Sequence, residues 1–243
     1  MLGCSSRKNE SGCGSTQGDL GTMRFSYEAE TVECNGICEV TTPIMVGAEV
    51  KMRAFGEVTE SNLDVRSTLV ETLSFSKRDE THECVSKKKD EAGHEVDVPR
   101  PVGVGVECDD GEEPRATITF TAKARRSGSA KVEVIADDDV LDSLTINASE
   151  ATGLVVPASV SVKVGGTATL QVTVKDSTGA TLIPGLDGIT TASADAAVAT
   201  ITRAGASKQA SFTVKGIAVG TTSITVRAGT LEKLVVATVE AGS

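Results

Sequence analysis

A short pattern occurs twice in this 243-residue chain, and it constrains the fold more than any other feature. Residues 46–52 and 164–172 each open on a valine–glycine turn, which alternating apolar and polar side chains follow. Each copy is followed further along the chain by a second segment in which a glycine precedes alternating apolar and polar residues, at residues 127–134 and 219–226. A glycine turn followed by alternation is typical of an antiparallel strand with one buried face. The two pairs of segments therefore predict two β-sandwich domains in tandem.

Length and composition agree with an all-β chain. Two sandwiches of roughly 100 residues each fit the length. The chain has no tryptophan and only 2% aromatic residues, so small β-branched side chains must fill the cores. No window carries a sustained apolar stripe at helical spacing. We expect a flexible polar tether over residues 1–20, a first sandwich over 21–149 and a second over 150–243.

Charge is distributed unevenly along the chain. The first 150 residues hold 29 acidic and 17 basic side chains, whereas the remainder holds five acidic and seven basic ones. Binding to the phosphate backbone of a nucleic acid requires clustered lysine and arginine. Because the chain has no such basic stripe, no nucleic-acid partner is predicted. The single basic run, Lys87 to Lys89, is followed at once by Asp90 and Glu91, which favours a solvated loop.

All six cysteines precede residue 109, and four of them fall in the predicted first sandwich. Four cysteines allow three connectivities. We predict Cys34–Cys38, on either side of an Asn-Gly turn, and Cys84–Cys108. Disulfides would place the protein outside the cytoplasm. The alternative is a metal site made by Cys84, His94 and Cys108, but no pair has the close spacing of zinc ligands.

No catalytic, cofactor or metal site is predicted. Both histidines lie in one hydrophilic segment, so no Ser-His-Asp or Cys-His arrangement spans the strands. Two acidic clusters raise a calcium alternative: residues 109–113, and residues 137–139 together with Asp142 near the domain junction. Neither follows the calcium-loop pattern, and aspartate runs are usually solvated turns.

The N-terminus contains a small residue, Gly3, immediately before Cys4, and polar residues follow. It resembles the end of a bacterial lipoprotein signal, which implies an acylated Cys4 as a lipid anchor. The chain departs from that pattern at Met1, where leucine is preferred. The alternative is an unanchored terminus in which Cys4 and Cys13 pair. No apolar run approaches the ~20 residues needed to span a membrane.

The second half reads as short strands separated by turn signals, as in a sandwich. The predicted strands cover residues 154–157, 160–164, 168–174, 189–193, 198–201, 210–214, 223–226 and 234–239. The Gly165-Gly166 turn, and Gly216 followed by Gly220-Thr221, resemble the bacterial Ig-like domain of group 2 over about residues 153–240. The family usually has tryptophan where this chain has Thr191, which leaves Phe212 as the large ring of the core. The resemblance implies a surface spacer or adhesion module and carries over no catalytic residue.

The first domain resembles this family less closely. Its two turn glycines, Gly47 and Gly128, are 81 residues apart, against 55 for Gly165 and Gly220. The excess falls between Ser76 and Glu113, which predicts a charged insertion held by a disulfide. Such an insertion is the expected contact surface, and the alternative is a decorated loop without a partner.

These observations predict a non-enzymatic protein of the cell envelope or surface, either a structural spacer or an adhesion module. The alternative is an accessory protein-binding subunit of a larger envelope or secretion complex. The expected partner is a protein or cell-surface component, and membrane contact is expected only through Cys4. The expected location is extracytoplasmic, as an outer-membrane or cell-surface lipoprotein or a secreted protein.

Overall fold

The computed structural model describes residues 15–28, 40–103, 105–203 and 210–242, and every structural statement below refers to them. Within these ranges the backbone consists of strands, turns and loops without a helix. No segment of the described chain qualifies as a membrane-crossing helix. The expectation of an all-β protein is confirmed.

The first ten strands form one sandwich of two sheets. One sheet has the order β1-β2-β4-β8-β6-β7 and the other has the order β3-β10-β9-β5. The strands are β1 (Thr16–Gln17), β2 (Met23–Tyr27), β3 (Ile44–Met45), β4 (Glu49–Gly56), β5 (Leu63–Ser67), β6 (Leu73–Lys89), β7 (Glu95–Val102), β8 (Glu113–Ala124), β9 (Gly128–Ala136) and β10 (Asp139–Ser149).

The remaining nine strands form a second sandwich. Its main sheets have the orders β12-β19-β18-β15 and β13-β17-β16, and β11 pairs with β14 beside them. The strands are β11 (Gly153–Val155), β12 (Ser159–Lys163), β13 (Thr167–Gln171), β14 (Thr173–Lys175), β15 (Ile189–Ser193), β16 (Ala199–Arg203), β17 (Ser211–Gly216), β18 (Gly220–Ala228) and β19 (Leu231–Glu240).

The two sandwiches share one topology. The order β4-β8-β6 in the first corresponds to β13-β17-β16 in the second, and β3-β10-β9-β5 corresponds to β12-β19-β18-β15. In each sandwich the early strand of the four-stranded sheet runs parallel to the last strand, and the other pairs are antiparallel. The first sandwich adds β1, β2 and β7. The predicted tandem of antiparallel β-sandwiches is therefore confirmed.

The repeated glycines occupy equivalent turns. Gly47 and Gly165 precede β4 and β13 with φ of +89° and +78°. Gly128 and Gly220 begin β9 and β18 with φ of +139° and +156°. Because residues with a Cβ rarely adopt positive φ, the same backbone geometry requires glycine in both copies.

Alternation along the strands builds the cores. In β4 the side chains of Val50, Met52 and Ala54 are fully buried, and the residues between them face outward. Their register partners in β8 include Phe120, which is also fully buried. In the second sandwich Phe212 is 2% exposed and pairs with Leu170 across β17 and β13.

Two predicted elements differ from the structure. The continuous strand expected over residues 168–174 is interrupted at Val172, whose amide donates to the carbonyl of Ala210 at 2.8 Å. The chain thereby leaves the sheet of β13 and continues as β14 against β11. Sequence alternation continues through this change of sheet, so the interruption was not predicted.

The expected loop-like insertion of residues 76–113 is largely strand. The 17-residue β6 runs to Lys89, so the basic run lies in a strand and not in a loop. Register places Lys87 opposite Asp97 and Lys89 opposite Glu95, and opposite charges facing each other favour this pairing. The insertion therefore lengthens the sheet into a projecting β6–β7 hairpin.

A short junction connects the two sandwiches. The amide of Ile183 donates to the carbonyl of Pro43, and the amide of Met45 donates to the carbonyl of Ile183, both at 2.9 Å. The strand β3 that contains Met45 also pairs with β10 of its own sandwich. One strand therefore bonds to both domains, and Ile183 is fully buried between them.

Candidate functional site

The end of the first sandwich near the β7–β8 connection combines a disulfide, several ionic contacts and a cavity. Cys84, buried in β6, bonds to Cys108 in the loop between β7 and β8, with 5.4 Å between their Cα atoms. Closing this 24-residue separation stabilises the folded domain by roughly 3 kcal/mol in the chain-entropy model. The disulfide fixes the loop against the extended sheet.

Arg100 holds the acidic part of that loop. Its guanidinium Nη2 contacts a carboxylate oxygen of Glu112 at 2.5 Å and one of Asp109 at 3.1 Å. The hydrogen bond from Arg100 lowers the pKa of Glu112 from its ordinary value. Two of the acidic residues that suggested a calcium loop are therefore paired with an arginine.

A partly buried ionic cluster lies on the side of β6 that faces β5, with His82 buried and Lys77 exposed. Glu80 accepts from Lys77 Nζ at 2.7 Å and contacts His82 Nε2 at 2.7 Å, and Lys77 also donates to the carbonyl of Leu63. Burial opposes ionisation of Glu80, but the hydrogen bonds from Lys77 and His82 outweigh it. The pKa of Glu80 is therefore lowered from its ordinary value. This cluster closes the side of the sandwich between β6 and β5.

An open cavity of about 530 Å³ lies beside the disulfide. Its lining combines apolar side chains with ionisable ones, listed here in chain order: Val58, Thr59, His82, Glu83, Val102, Gly105, Val106, Glu107, Cys108, Glu112, Pro114 and Arg115. Arg115 pairs with Asp97 at 3.2 Å. Concave sites of this size accommodate small ligands or short segments of a partner.

The structure does not assemble the alternative metal site. Ligand atoms of Cys84, Cys108 and Glu112 lie within 4.8 Å of one another, but both sulfurs are in the disulfide and Glu112 is paired with Arg100. His94 lies beyond the end of β6, and its side chain is 78% exposed and pairs with Asp90 at 3.5 Å. Metal binding by a cysteine requires a thiolate, which a disulfide does not supply.

The acidic residues 137–139 and Asp142, which raised the calcium alternative, do not form one group of ligand atoms in the described part of the chain. Asp137 and Asp138 have φ of +46° and +73° and form the turn between β9 and β10. That turn lies at the opposite end of β10 from the domain junction. The rise per residue of a strand puts the two ends of β10 ~30 Å apart. Asp142 points into the protein, fully buried, and therefore does not face the turn.

Asp142 instead binds the N-terminal segment. Its carboxylate accepts from the backbone amides of Leu20 at 2.8 Å, Met23 at 2.7 Å and Ser143 at 2.7 Å. Gly18 lies so close that a Cβ there would overlap the carboxylate. Sequence analysis missed this role, although a single aspartate within the apolar alternation of β10 was a usable signal.

The remaining predicted site residues lie outside the described residues. These are the proposed lipid anchor Cys4 and the proposed pair Cys34 and Cys38, together with Cys13. Of the predicted disulfide residues, the described chain contains Cys84 and Cys108. Sequence analysis also did not find the cavity, because its lining comes from distant strands and loops.

Fold and site together define the class of protein: a tandem of Ig-like β-sandwiches whose first member carries a disulfide-closed extension. No family model matches the chain, and no curated protein matches it either. Similar folds occur among solved structures. Domains 4 and 5 of the S-layer protein SbsC are 21% identical, with a TM-score of 0.33, over 63% of this chain and 89% of that one.

Two other similar structures are those of InvD and invasin. InvD of Yersinia pseudotuberculosis is 15% identical, with a TM-score of 0.30, over 87% of this chain and 57% of that one. Invasin, described as a bacterial integrin-binding protein, is 16% identical, with a TM-score of 0.29, over 82% of this chain and 38% of that one. The chain spans 30% of the SbsC structure that contains domains 4–9.

Proposed function

We propose that the protein is a non-enzymatic structural spacer or adhesion module of the cell envelope or surface. The observation that carries this proposal is the junction, in which Pro43 and Met45 bond to Ile183 while β3 pairs with β10. A spacer must keep its domains at a fixed separation. Backbone hydrogen bonds across the boundary, with Ile183 fully buried, serve that purpose better than a solvated linker.

The second sandwich also suits a role under tension. Its β12 runs parallel to β19 through five register pairs, from Ser159 with Val236 to Lys163 with Glu240. Hydrogen bonds of a parallel pair are evenly spaced along the strands. A pull that slides β12 along β19 therefore loads these bonds together, whereas peeling would load them one after another.

The Cys84–Cys108 disulfide supports an extracytoplasmic location, because disulfides persist mainly in oxidising compartments. Anchoring through an acylated Cys4 and membership of the group 2 bacterial Ig-like domains belong to the same proposal. Intact-mass measurement on protein from its native host tests the anchor directly. Acyl mass at Cys4 is expected, and an unmodified Cys4 would contradict anchoring.

The spacer role is tested by the relative orientation of the sandwiches. Residual dipolar couplings of the full chain, fitted separately for residues 40–149 and 153–242, are expected to give one common alignment tensor. Two tensors of different magnitude would mean independent reorientation and would overturn the spacer role.

A matched pair of glycine variants sharpens this test. Gly185 has φ of +63°, and a Cβ there would overlap the carbonyl oxygen of Glu49 across the junction. Gly179 has φ of +84° and nothing within 4 Å of a Cβ. Both alanine substitutions cost about 1 kcal/mol in backbone strain. Only Gly185→Ala is expected to give two alignment tensors.

The second candidate is an accessory protein-binding subunit. The projecting β6–β7 hairpin favours it, because residues 86–89 pair with β7 alone and extend beyond the rest of the sheet. A stoichiometric partner recovered by the full chain, and lost when the turn residues 90–94 are replaced by Asn-Gly, would favour this function.

A further inference from the structure

The cavity beside the Cys84–Cys108 disulfide has no part in the junction and no role in the spacer function. Part of its lining is apolar, contributed by Val58, Val102, Val106 and Pro114. Val58 is 2% exposed, whereas Val106 keeps 52% of its surface exposed in the loop after β7. An apolar surface therefore extends from the domain interior to solvent.

Two carboxylates of the lining are available to a ligand. Glu112 is engaged by Arg100, and Arg115 is engaged by Asp97. Glu83 and Glu107 also line the cavity, and neither takes part in a salt bridge within the described part of the chain. The cavity thus combines apolar walls with two unpaired negative groups.

The charge of the surroundings selects the ligand class. The adjacent loop contributes Asp109 and Asp110, and the first 150 residues are strongly acidic. A negative surface attracts cations and repels anions. A soft metal would need cysteine thiolates, but both sulfurs are bonded to each other in the disulfide. The Nε2 atom of His82 already forms a hydrogen bond with Glu80. An organic cation with an apolar stem fits these walls better than a bare ion.

We propose that this cavity binds a lysine or arginine side chain of a partner protein. The aliphatic stem lies along Val102, Val106 and Pro114, and the charged end is held by Glu83 and Glu107. Long basic side chains commonly bury their methylene stem against apolar surface while the charge remains near water or a counter-ion. A charge-assisted contact to two carboxylates supplies the selectivity.

The test uses the full chain labelled with 15N and three blocked tripeptides. In acetyl-Gly-Lys-Gly-amide the central residue is lysine, and in the matched peptides it is norleucine or glutamate. Amide signals of Val102 and Val106 are followed during titration. The lysine peptide is expected to give saturable shifts, the norleucine peptide to bind about tenfold more weakly, and the glutamate peptide not to bind.

Charge variants separate the cavity from the general acidity of the domain. Glu83→Gln with Glu107→Gln is expected to reduce lysine-peptide affinity to that of the norleucine peptide. The control is Glu71→Gln with Glu91→Gln, which removes the same charge from exposed positions outside the cavity and is expected to leave affinity within about twofold. Thermal unfolding of both double variants checks that they are folded.

Three results would overturn the proposal: no saturable shifts at Val102 and Val106, equal affinity for the lysine and norleucine peptides, or equal loss in the two double variants. None of these substitutions touches the junction. The common alignment tensor expected for a spacer is therefore measured independently, and either proposal is able to fail alone.

Discussion

At the scale of single residues, the polar groups inside this protein act mainly by holding backbone in place. Asp142 is fully buried, and its oxygens accept three amide hydrogens, one from Leu20 in the turn before β2, one from Met23 at the start of β2 and one from Ser143. A buried carboxylate is stable only when its oxygens are satisfied. Asp142 thereby fixes residues 18–23 against β10, over a separation of about 120 positions in the sequence.

Replacing this carboxylate is expected to destabilise the first sandwich. Asp142→Asn retains the shape but substitutes an NH2 group for one acceptor oxygen, which leaves a buried donor facing amide donors. The expected loss in unfolding free energy is about 3 kcal/mol. Chemical denaturation measures it. Asp138→Asn is the control and should cost less than about 0.5 kcal/mol, because asparagine accepts the positive φ of that turn. Equal losses in the two variants would contradict the role of Asp142.

Glu80 is expected to give the first sandwich a pH-dependent stability. Its pKa is lowered from the ordinary 4.5 because hydrogen bonds from Lys77 and His82 outweigh burial. A carboxyl whose folded pKa is depressed contributes stability above its unfolded pKa, and this stability is lost as pH falls through the folded value. The stability advantage of wild type over Glu80→Gln should therefore be constant above about pH 5 and shrink below it. An advantage that grows on acidification would refute this assignment.

At the scale of elements, alternation predicted most strands but not where they change sheet or end. Alternation gave the extents of β12 and β15 to within one residue, whereas β18 extends from Gly220 to Ala228, well beyond the predicted residues 223–226. The division of residues 167–175 into β13 and β14 depends on β11, a partner about 20 residues earlier that local pattern does not show. The length of β6 was missed for a related reason, since cross-strand charge pairs with β7 support a segment too polar to suggest a strand.

The disulfide is expected to stabilise the extension built on β6 and β7. Cys84→Ala with Cys108→Ala should lower the unfolding free energy by roughly 3 kcal/mol and release the loop that holds Val106. Thermal unfolding of the variant measures the first effect, and amide exchange at residues 105–112 measures the second. Unchanged exchange in that loop would show that Arg100 and its carboxylates hold it without the disulfide. The single variants, each with one free thiol, serve as comparison for lost packing.

At the scale of the whole molecule, the architecture is a structural repeat. Two sandwiches share the same strand order, the same parallel strand pair and the same positive-φ glycines, so the sequence repeat corresponds to a repeat of structure. The repeat was visible in sequence because glycine turns and alternation are local. The junction was not, because Pro43 and Ile183 are 140 positions apart and neither has a side chain that signals the contact. The cavity could not be predicted either, because its lining residues are also far apart in the sequence.

The junction is tested most directly by native-state hydrogen exchange at the amides of Met45 and Ile183. Both donate across the boundary at 2.9 Å, so both should exchange only with opening free energies close to those of the core strands β8 and β17. Protection at both positions, lost in Gly185→Ala and kept in Gly179→Ala, is the predicted result. Exchange at the rate of exposed amides, with β8 and β17 still protected, would mean that the sandwiches are not joined and would contradict the spacer function.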